Sequence, residues 1–314
     1  MEKALKGIRV IDFSRVVAGP LSGSILGDLG ADVIKIEAPA GDSTRYTGPA
    51  SEHGLSALFL GINRNKRSLV LDLKQTEAVA ILHQLIQEAD VIMHNIRPQK
   101  LSALGLCAEQ VHAINPRIIY AALTGFSTQG TYAGEPAYDD IIQGLSGIAA
   151  VNAQQSGTPG YFPTIAADKT CALIAAHAIL AALFQREHTQ QGQVVEVPMF
   201  ESMVSYMMVE HFYGRHLVDN PEQPMGYPRT LTAWRKPYQT ADGYIGLMPY
   251  TDKHWYDFFT ACNQPELARD SRFNSISQRT LHIAELYELV GGLVLQHDSK
   301  YWLALCNAHQ LPAA

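Results

Sequence analysis

The apolar positions of the first 130 residues fall into short runs separated by amphipathic stretches. Residues 8–13 (IRVIDF) are apolar and β-branched without alternation, as in a parallel strand buried on both faces. Gly19 and Pro20 suit a helix start, a short helix follows over 20–29, and Gly30 ends it. Residues 32–37 (DVIKIE) read as the next strand, giving a βαβ unit of Rossmann type. Further strands are expected at 68–73, 90–96 and 117–123. A helix over 76–89 carries Val79, Leu82, Leu85 and Ile86 on one face, with Thr76 as its cap. This alternation predicts an α/β protein with a parallel, doubly wound sheet.

The second half changes character. A long helix over 168–187 is rich in alanine (172, 175, 176, 178, 181 and 182), which permits close approach of a neighbouring helix. A strand follows at 193–197, then a mixed helical stretch over 200–218. Pro221, Pro224 and Pro228 mark a linker. Asp242-Gly243 between apolar runs signals a hairpin, and 255–262 and 281–296 read as helices. The expected organisation is a large domain at 1–199, a linker at 200–225 and a small α+β domain at 226–314. Leu311-Pro312 reads as the opening of a strand with no continuation, so the chain is expected to be truncated there.

Charge and cysteine usage narrow the function classes. The net charge of −6 gives no global field for nucleic acid, so an anionic ligand would need a local basic patch. Cys107, Cys171, Cys262 and Cys306 form no CxxC pair, which reads as reduced thiols in a cytoplasmic protein. The N-terminus has no apolar signal core, and the most apolar stretch, 171–184, is 14 residues long and too short to span a bilayer. No nucleic-acid or membrane partner is therefore expected.

Several residues could carry chemistry. The opening βαβ unit lacks GxGxxG, although Gly19, Gly23, Gly27 and Gly30 punctuate it and Glu37 stands where a dinucleotide enzyme reads a ribose. Those glycines equally serve close packing. Amides at the helix start near Gly19 could attract phosphate. Arg64, Lys66, Arg67 and Lys74, with Arg97 and Lys100 after a later strand, could converge on a polyphosphate at the carboxyl ends of the strands, or form a solvated surface run. Asp168, at the start of the alanine-rich helix, reads as a cap or as a carboxylate nucleophile kept ionised by the helix N-terminus. Tyr138 could donate to an acyl oxygen or sit buried as an amphipathic tyrosine. The histidines show no HxxxH or HExxH spacing, and no nucleophile elbow is present.

In order and spacing, these segments resemble the class III coenzyme A transferases of the CaiB/BaiF type: GIRVIDFSRVVAGPLSGSILGDLGADVIKIEAPAGDSTR, NRNKRSLVLDLK, HNIRP with LGL after it, YDDIIQGLSG, PTIAADK, GQVVEVPMFES and TADGYIGL. The resemblance implies Asp168 as the catalytic aspartate and Tyr138 as an active-site tyrosine. It places Val17, Leu71, Asp72, Leu73, Lys74, Asn95 and Arg97 along the coenzyme A groove. It further implies a Rossmann-like large domain, a ring-shaped monomer, an interlocked homodimer and a chain that returns to the large domain after the small one, a C-terminal return expected to be missing here. The substrates would be an acyl-CoA and a small carboxylic acid, with no tightly bound cofactor and no metal. Coenzyme A would move through covalent aspartyl intermediates.

The α-methylacyl-CoA racemases resemble the chain too, but carry a histidine where Tyr138 stands. A phenol, ordinarily titrating near ~10, is a poorer base at neutral pH. A non-catalytic acyl-CoA binder and a nicotinamide oxidoreductase are the remaining alternatives. Formyl-CoA transferases have a glycine-rich loop where this chain has TLTAWRKPYQ, and a lysine where it has Pro136. Formate and oxalate are thus disfavoured. Arg229, Arg235 or Lys236 could pair with a distal carboxylate, suggesting dicarboxylates, or lie as surface cations.

Overall fold

The computed structural model describes residues 3–52, 54–217 and 222–314; Pro221, read above as part of the linker, lies outside them. Contacts divide the chain into two units, one of residues 1–148 and 161–207, the other of 149–160 and 208–314. The stretch read as a linker begins inside a helix.

The first unit holds a six-stranded parallel sheet: β1 (Arg9–Asp12), β2 (Asp32–Glu37), β3 (Lys66–Val70), β4 (Val91–His94), β5 (Ile119–Thr124) and β6 (Val194–Pro198). Spatial order is β3-β2-β1-β4-β5-β6, the doubly wound arrangement that the alternation predicts. Its helices are α1 (Ala18–Asp28), α2 (Ala57–Ile62), α3 (Thr76–Glu88), α4 (Pro98–Leu101), α5 (Ala108–Ile114), α6 (Asp139–Leu145) and, after α7 (Ile148–Ser156), the long α8 (Ala166–Thr189) and most of α9 (Met199–His211).

Successive strand residues point to opposite faces, so each strand feeds two cores. Val10, Val33, Val91, Met93, Ile119 and Ala121 pack with α1 and α8, while Ile11, Ile34, Ile92 and Tyr120 pack with α3 and α5. Burial on both faces is why the central strands read as unbroken apolar runs. Helix α8 is long and apolar enough to cross a bilayer by length and composition, and its Ala175, Ala176 and Ala182 are buried in the first of these cores. There it lies against α1, whose Gly19, Gly23 and Gly27 are buried, so small residues meet small residues.

Boundaries differ from the pattern at the ends, where backbone capping rather than periodicity decides. Thr76 is the first residue of α3; Gln75 stands at the cap and makes no side-chain capping bond. Asp168 is the third residue of α8, not its start.

The second unit contains α7 after its first residue, then α10 (Pro228–Leu231), α11 (Asp252–Ala261), α12 (Ile276–Leu281), α13 (Ile283–Val294) and α14 (Ser299–Ala308). The expected hairpin is β7 (Tyr238–Gln239) paired antiparallel with β8 (Tyr244–Ile245). Its turn is held by Thr240, whose hydroxyl donates to Asp242 (2.9 Å) and accepts from the Gly243 N–H (3.0 Å). Leu311-Pro312 leads into Ala313, which pairs antiparallel with Leu247. Trp255, Phe258, Phe259, Tyr287 and Trp302 form the core of this unit.

Candidate functional site

In the strand order the chain reverses direction between β1 and β4, and a crevice opens outside their carboxyl ends. The loop after β1 and the loop after β4 meet there. Asn95 ties them together, accepting from the Arg15 N–H (2.9 Å) and donating to the Arg15 carbonyl (2.6 Å). Arg15, Val16, Asn95, Arg97, Tyr138 and Asp168 all line one cavity of about 400 Å³. Val17 is buried beside it, between lining residues Val16 and Ala18. Tyr138 is 71% exposed, which removes the buried-tyrosine reading.

Leu71, Asp72, Leu73 and Lys74 line a second cavity of about 270 Å³, which shares Arg15, Ile96 and Lys100 with the first. The residues expected along one groove thus fall on two cavities with a common wall. Arg15 escaped sequence reading, although its place just after the first strand is where the switch-point rule looks for ligand contacts.

The basic run divides. Arg64 pairs with Asp28, Arg67 pairs with Asp32 (2.6 Å), and Lys66 is buried against Asp12 (2.9 Å). These three serve the fold and do not converge on a ligand. The cations that reach the cavities are Arg15, Lys74, Arg97 and Lys100. Glu37, the expected ribose reader, is engaged by Arg45 at 2.5 Å and by the Asp42 N–H at 2.8 Å.

The loop from Ser14 to Val17 is held from beneath by two buried ion pairs. Asp12 accepts from Lys66, from the Ser14 N–H (2.9 Å) and from the Ser14 hydroxyl. Lys35 donates to the Ser14 carbonyl (2.9 Å) and pairs with Asp42 (3.2 Å). Asp42 also accepts from the Val16 N–H, at 3.2 Å to one of its oxygens. Burial works to raise the Asp12 pKa, but Lys66 and Lys35 outweigh it and hold it below the usual carboxylate value. Val16 needs this support: its φ is 68°, a left-handed conformation that costs a β-branched residue about 1–3 kcal/mol.

The same loop delivers α1. With Pro20 lacking an N–H, Ala18 and Gly19 carry the free amides of its first turn. The Ala18 N–H faces the Asp168 carboxylate. In the first turn of α8 the Asp168 amide donates to Asp139 (2.9 Å), and that of Lys169 to the Ile165 carbonyl (3.1 Å). Asp139 is thus a cap for α8 supplied by α6. Its other oxygen accepts from Gln143, which in turn accepts from the Phe162 N–H (2.9 Å) and fixes the approach to α8.

Asp168 is therefore not simply stabilised by its own helix. Burial and the neighbouring charge of Asp139 push its pKa up to about 6, with the Ala18 amide pulling the other way. The group is still ionised at neutral pH, but poorly solvated, as a nucleophile should be. His94 is a core residue: burial lowers its pKa to about 4, and its Nδ1 accepts from the Ile96 N–H (3.2 Å). Among the described residues no cluster of His, Cys, Asp and Glu could hold a metal ion.

Gly19 shows how tightly α1 is set. A Cβ there would lie 2.1 Å from the Ser14 Cβ. Gly19→Ala should push α1 off the loop and lower kcat/KM for acyl-CoA on the order of 10²-fold. Steady-state kinetics check this, and an unchanged kcat/KM would mean that α1 does not need this position.

Fold and site together define an α/β protein that presents a poorly solvated carboxylate and a set of cations at its topological switch point. The sequence pattern of CoA-transferase family III matches residues 5–314, and the chain belongs to that family. It is 32% identical to a probable fatty acyl-CoA transferase of Mycobacterium tuberculosis, over 99% of this chain and 82% of the relative. It is also 32% identical to a succinate–glutarate CoA-transferase of Agrobacterium fabrum, over 98% and 79%. The crystal structure of the same M. tuberculosis protein superposes with a TM-score of 0.85 at 32% identity, covering 99% of this chain and 83% of that one. A CaiB/BaiF family protein from Brucella suis gives 0.82 at 32% identity, covering 100% and 84%.

Proposed function

We propose that Asp168 is the nucleophile of a coenzyme A transfer between short carboxylic acids, dicarboxylates among them, and that the chain works as a homodimer. The observation that carries this reading is the placement of Asp168, with its raised pKa and the Ala18 amide, in the cavity at the switch point. Family membership supports the reaction type. The dicarboxylate reading draws on the relatives whose substrates are succinate, glutarate, citramalate and mesaconate by name.

In this mechanism an Asp168 oxygen attacks the donor thioester carbonyl. The C–S bond breaks, the CoA thiolate leaves, and a mixed anhydride remains. The thiolate attacks the aspartyl carbonyl, releasing the donor acid and leaving an aspartyl-CoA thioester. The acceptor carboxylate attacks that carbonyl and expels the thiolate, which then takes the acyl group from the second anhydride and frees Asp168. Charge is conserved at each step, so the cycle needs no general base. The Ala18 amide, which already lowers the Asp168 pKa, would donate to an oxygen on the aspartyl carbon as negative charge moves through it. Val17, Leu71, Asp72, Leu73, Lys74, Asn95 and Arg97 would hold coenzyme A, with Arg15 and Lys100 added by the geometry. Tyr138 would donate to an acyl oxygen.

The test is to incubate the protein with succinyl-CoA and a pool of carboxylic acids, following every new acyl-CoA by mass spectrometry beside Asp168→Ala. New thioesters from the native chain alone are expected, and they name the acceptors. Exchange of the α-hydrogen of a branched acyl-CoA with solvent deuterium, without any acceptor acid, would instead establish racemase chemistry. Light scattering should give twice the chain mass; a monomer that exchanges CoA would overturn the dimer.

A further inference from the structure

Buried cations in this protein come with carboxylates. Lys35 pairs with Asp42 at 3.2 Å, Lys66 with Asp12 at 2.9 Å, Arg186 with Asp90 at 2.9 Å, and Arg279 with Asp252. Arg229 breaks the rule. It lies in α10 of the second unit and is only 3% exposed, yet no carboxylate of a described residue pairs with it. One Nη donates to the Tyr287 hydroxyl (3.2 Å), and the guanidinium carbon stands 4.9 Å from the centre of the Tyr250 ring. Neither a phenol nor an aromatic face neutralises the charge, and an unneutralised buried charge is costly.

A second guanidinium is close by. Arg235 donates to the Arg229 carbonyl (3.4 Å), and it too has no carboxylate partner among the described residues. Tyr227 belongs to the same group: burial raises its pKa, with Arg229 and Arg235 opposing the rise. Arg235, Tyr238, Met248 and Tyr287, with Ala313 and Ala314, line a cavity of about 570 Å³ within this unit; Arg229 is not among its lining residues and is linked to it by its bond to Tyr287.

We propose that the second unit contains a carboxylate-binding site, with the Arg229 guanidinium as its anchor and Arg235, Tyr227 and Tyr287 as further donors. A planar carboxylate matches the guanidinium fork, and its single charge balances the one cation that, among the described residues, is buried without a counterion. Tyr238, Tyr250 and Met248 offer apolar surface to an aliphatic stem. The ligand class is a short aliphatic carboxylic acid. Only the choice of acid, succinate or glutarate, rests on the transferase reading above; the site itself rests on the unpaired Arg229.

The experiment is calorimetric titration of succinate, glutarate and inorganic phosphate into the 314-residue chain, its Asp168→Ala variant, and the Arg229→Gln, Arg229→Lys and Tyr287→Phe variants. Circular dichroism establishes that each is folded. Saturable acid binding is expected in the native chain and in Asp168→Ala. It should be about 10- to 100-fold weaker in Arg229→Gln and partly restored in Arg229→Lys. If Arg229→Gln does not fold, the Lys and Tyr287→Phe variants must each still weaken binding. No saturable binding to the folded native chain, equal affinity in the Arg229 variants, or tighter binding of phosphate than of either acid would each overturn the site. Acyl-exchange assays run in parallel separate the two readings. A chain that exchanges CoA while Arg229→Gln binds acids normally loses only this site. A chain that binds acid through Arg229 but exchanges nothing loses only the transferase assignment.

Discussion

Asp168→Asn should abolish CoA exchange, by on the order of 10⁴-fold or more, and at the same time make the folded protein more stable at neutral pH. The first effect follows from losing the only group that would carry the acyl and CoA intermediates. Quenching the native enzyme with hydroxylamine during turnover should leave a hydroxamate on the peptide that contains Asp168, and mass spectrometry should find none in the variant. A hydroxamate on another carboxylate would move the nucleophile elsewhere.

The second effect follows from the sign of the pKa shift. The Asp168 pKa rises from 3.8 to about 6 on folding. A raised carboxyl pKa means that the native state binds the proton more tightly than the unfolded chain. The resulting stability is fully present below pH 3.8 and is lost as pH rises through about 6. Asparagine carries no charge at any of these pH values. The variant should gain at most about 3 kcal/mol over the native protein at pH 7 to 8, with the difference closing towards pH 4. Denaturant midpoints at pH 4.5 and 7.5 check this. An equal gap at both pH values would mean that the carboxylate is not strained by its surroundings.

Lys66→Met should cost about 3–5 kcal/mol of stability, because it leaves Asp12 buried without its nearest counterion. Lys66 also donates to the Pro20 carbonyl (2.7 Å) and to Asn63 (2.9 Å), so α1 and the Ser14 loop lose a shared anchor. The Lys66→Met, Asp12→Leu double variant should recover part of the stability, since no charge is then stranded. It should not recover activity, because the Ser14 N–H and hydroxyl have lost their acceptor, and the loop that carries the left-handed Val16 keeps only its Asp42 and Lys35 anchors. Urea denaturation and kcat/KM, measured on both variants, separate the two outcomes. Full activity in the double variant would show that the buried pair serves folding alone.

The order of strands and helices in the first unit was legible because a parallel sheet buried on both faces leaves unbroken apolar runs. The hairpin was legible because its turn needs particular residues. The family was legible because its segments occur in a fixed order and spacing, and Asp168, Tyr138, Asn95 and Arg97 came with them. The energetics of the site were not legible. Proximity to a helix start suggested an ordinary ionised carboxylate at Asp168, but burial and Asp139 are long-range facts, 29 residues away for the latter. The basic run looked uniform in sequence. Only the fold separates Arg64, Lys66 and Arg67, which meet Asp28, Asp12 and Asp32, from the cations that reach the cavities. Arg229 is the converse case, one cation among several in a loop until tertiary packing buries it without a counterion. Periodicity and motif spacing are local properties that one chain displays by itself. Charge compensation and solvation depend on which distant groups the fold brings together, so the tertiary structure alone decided them.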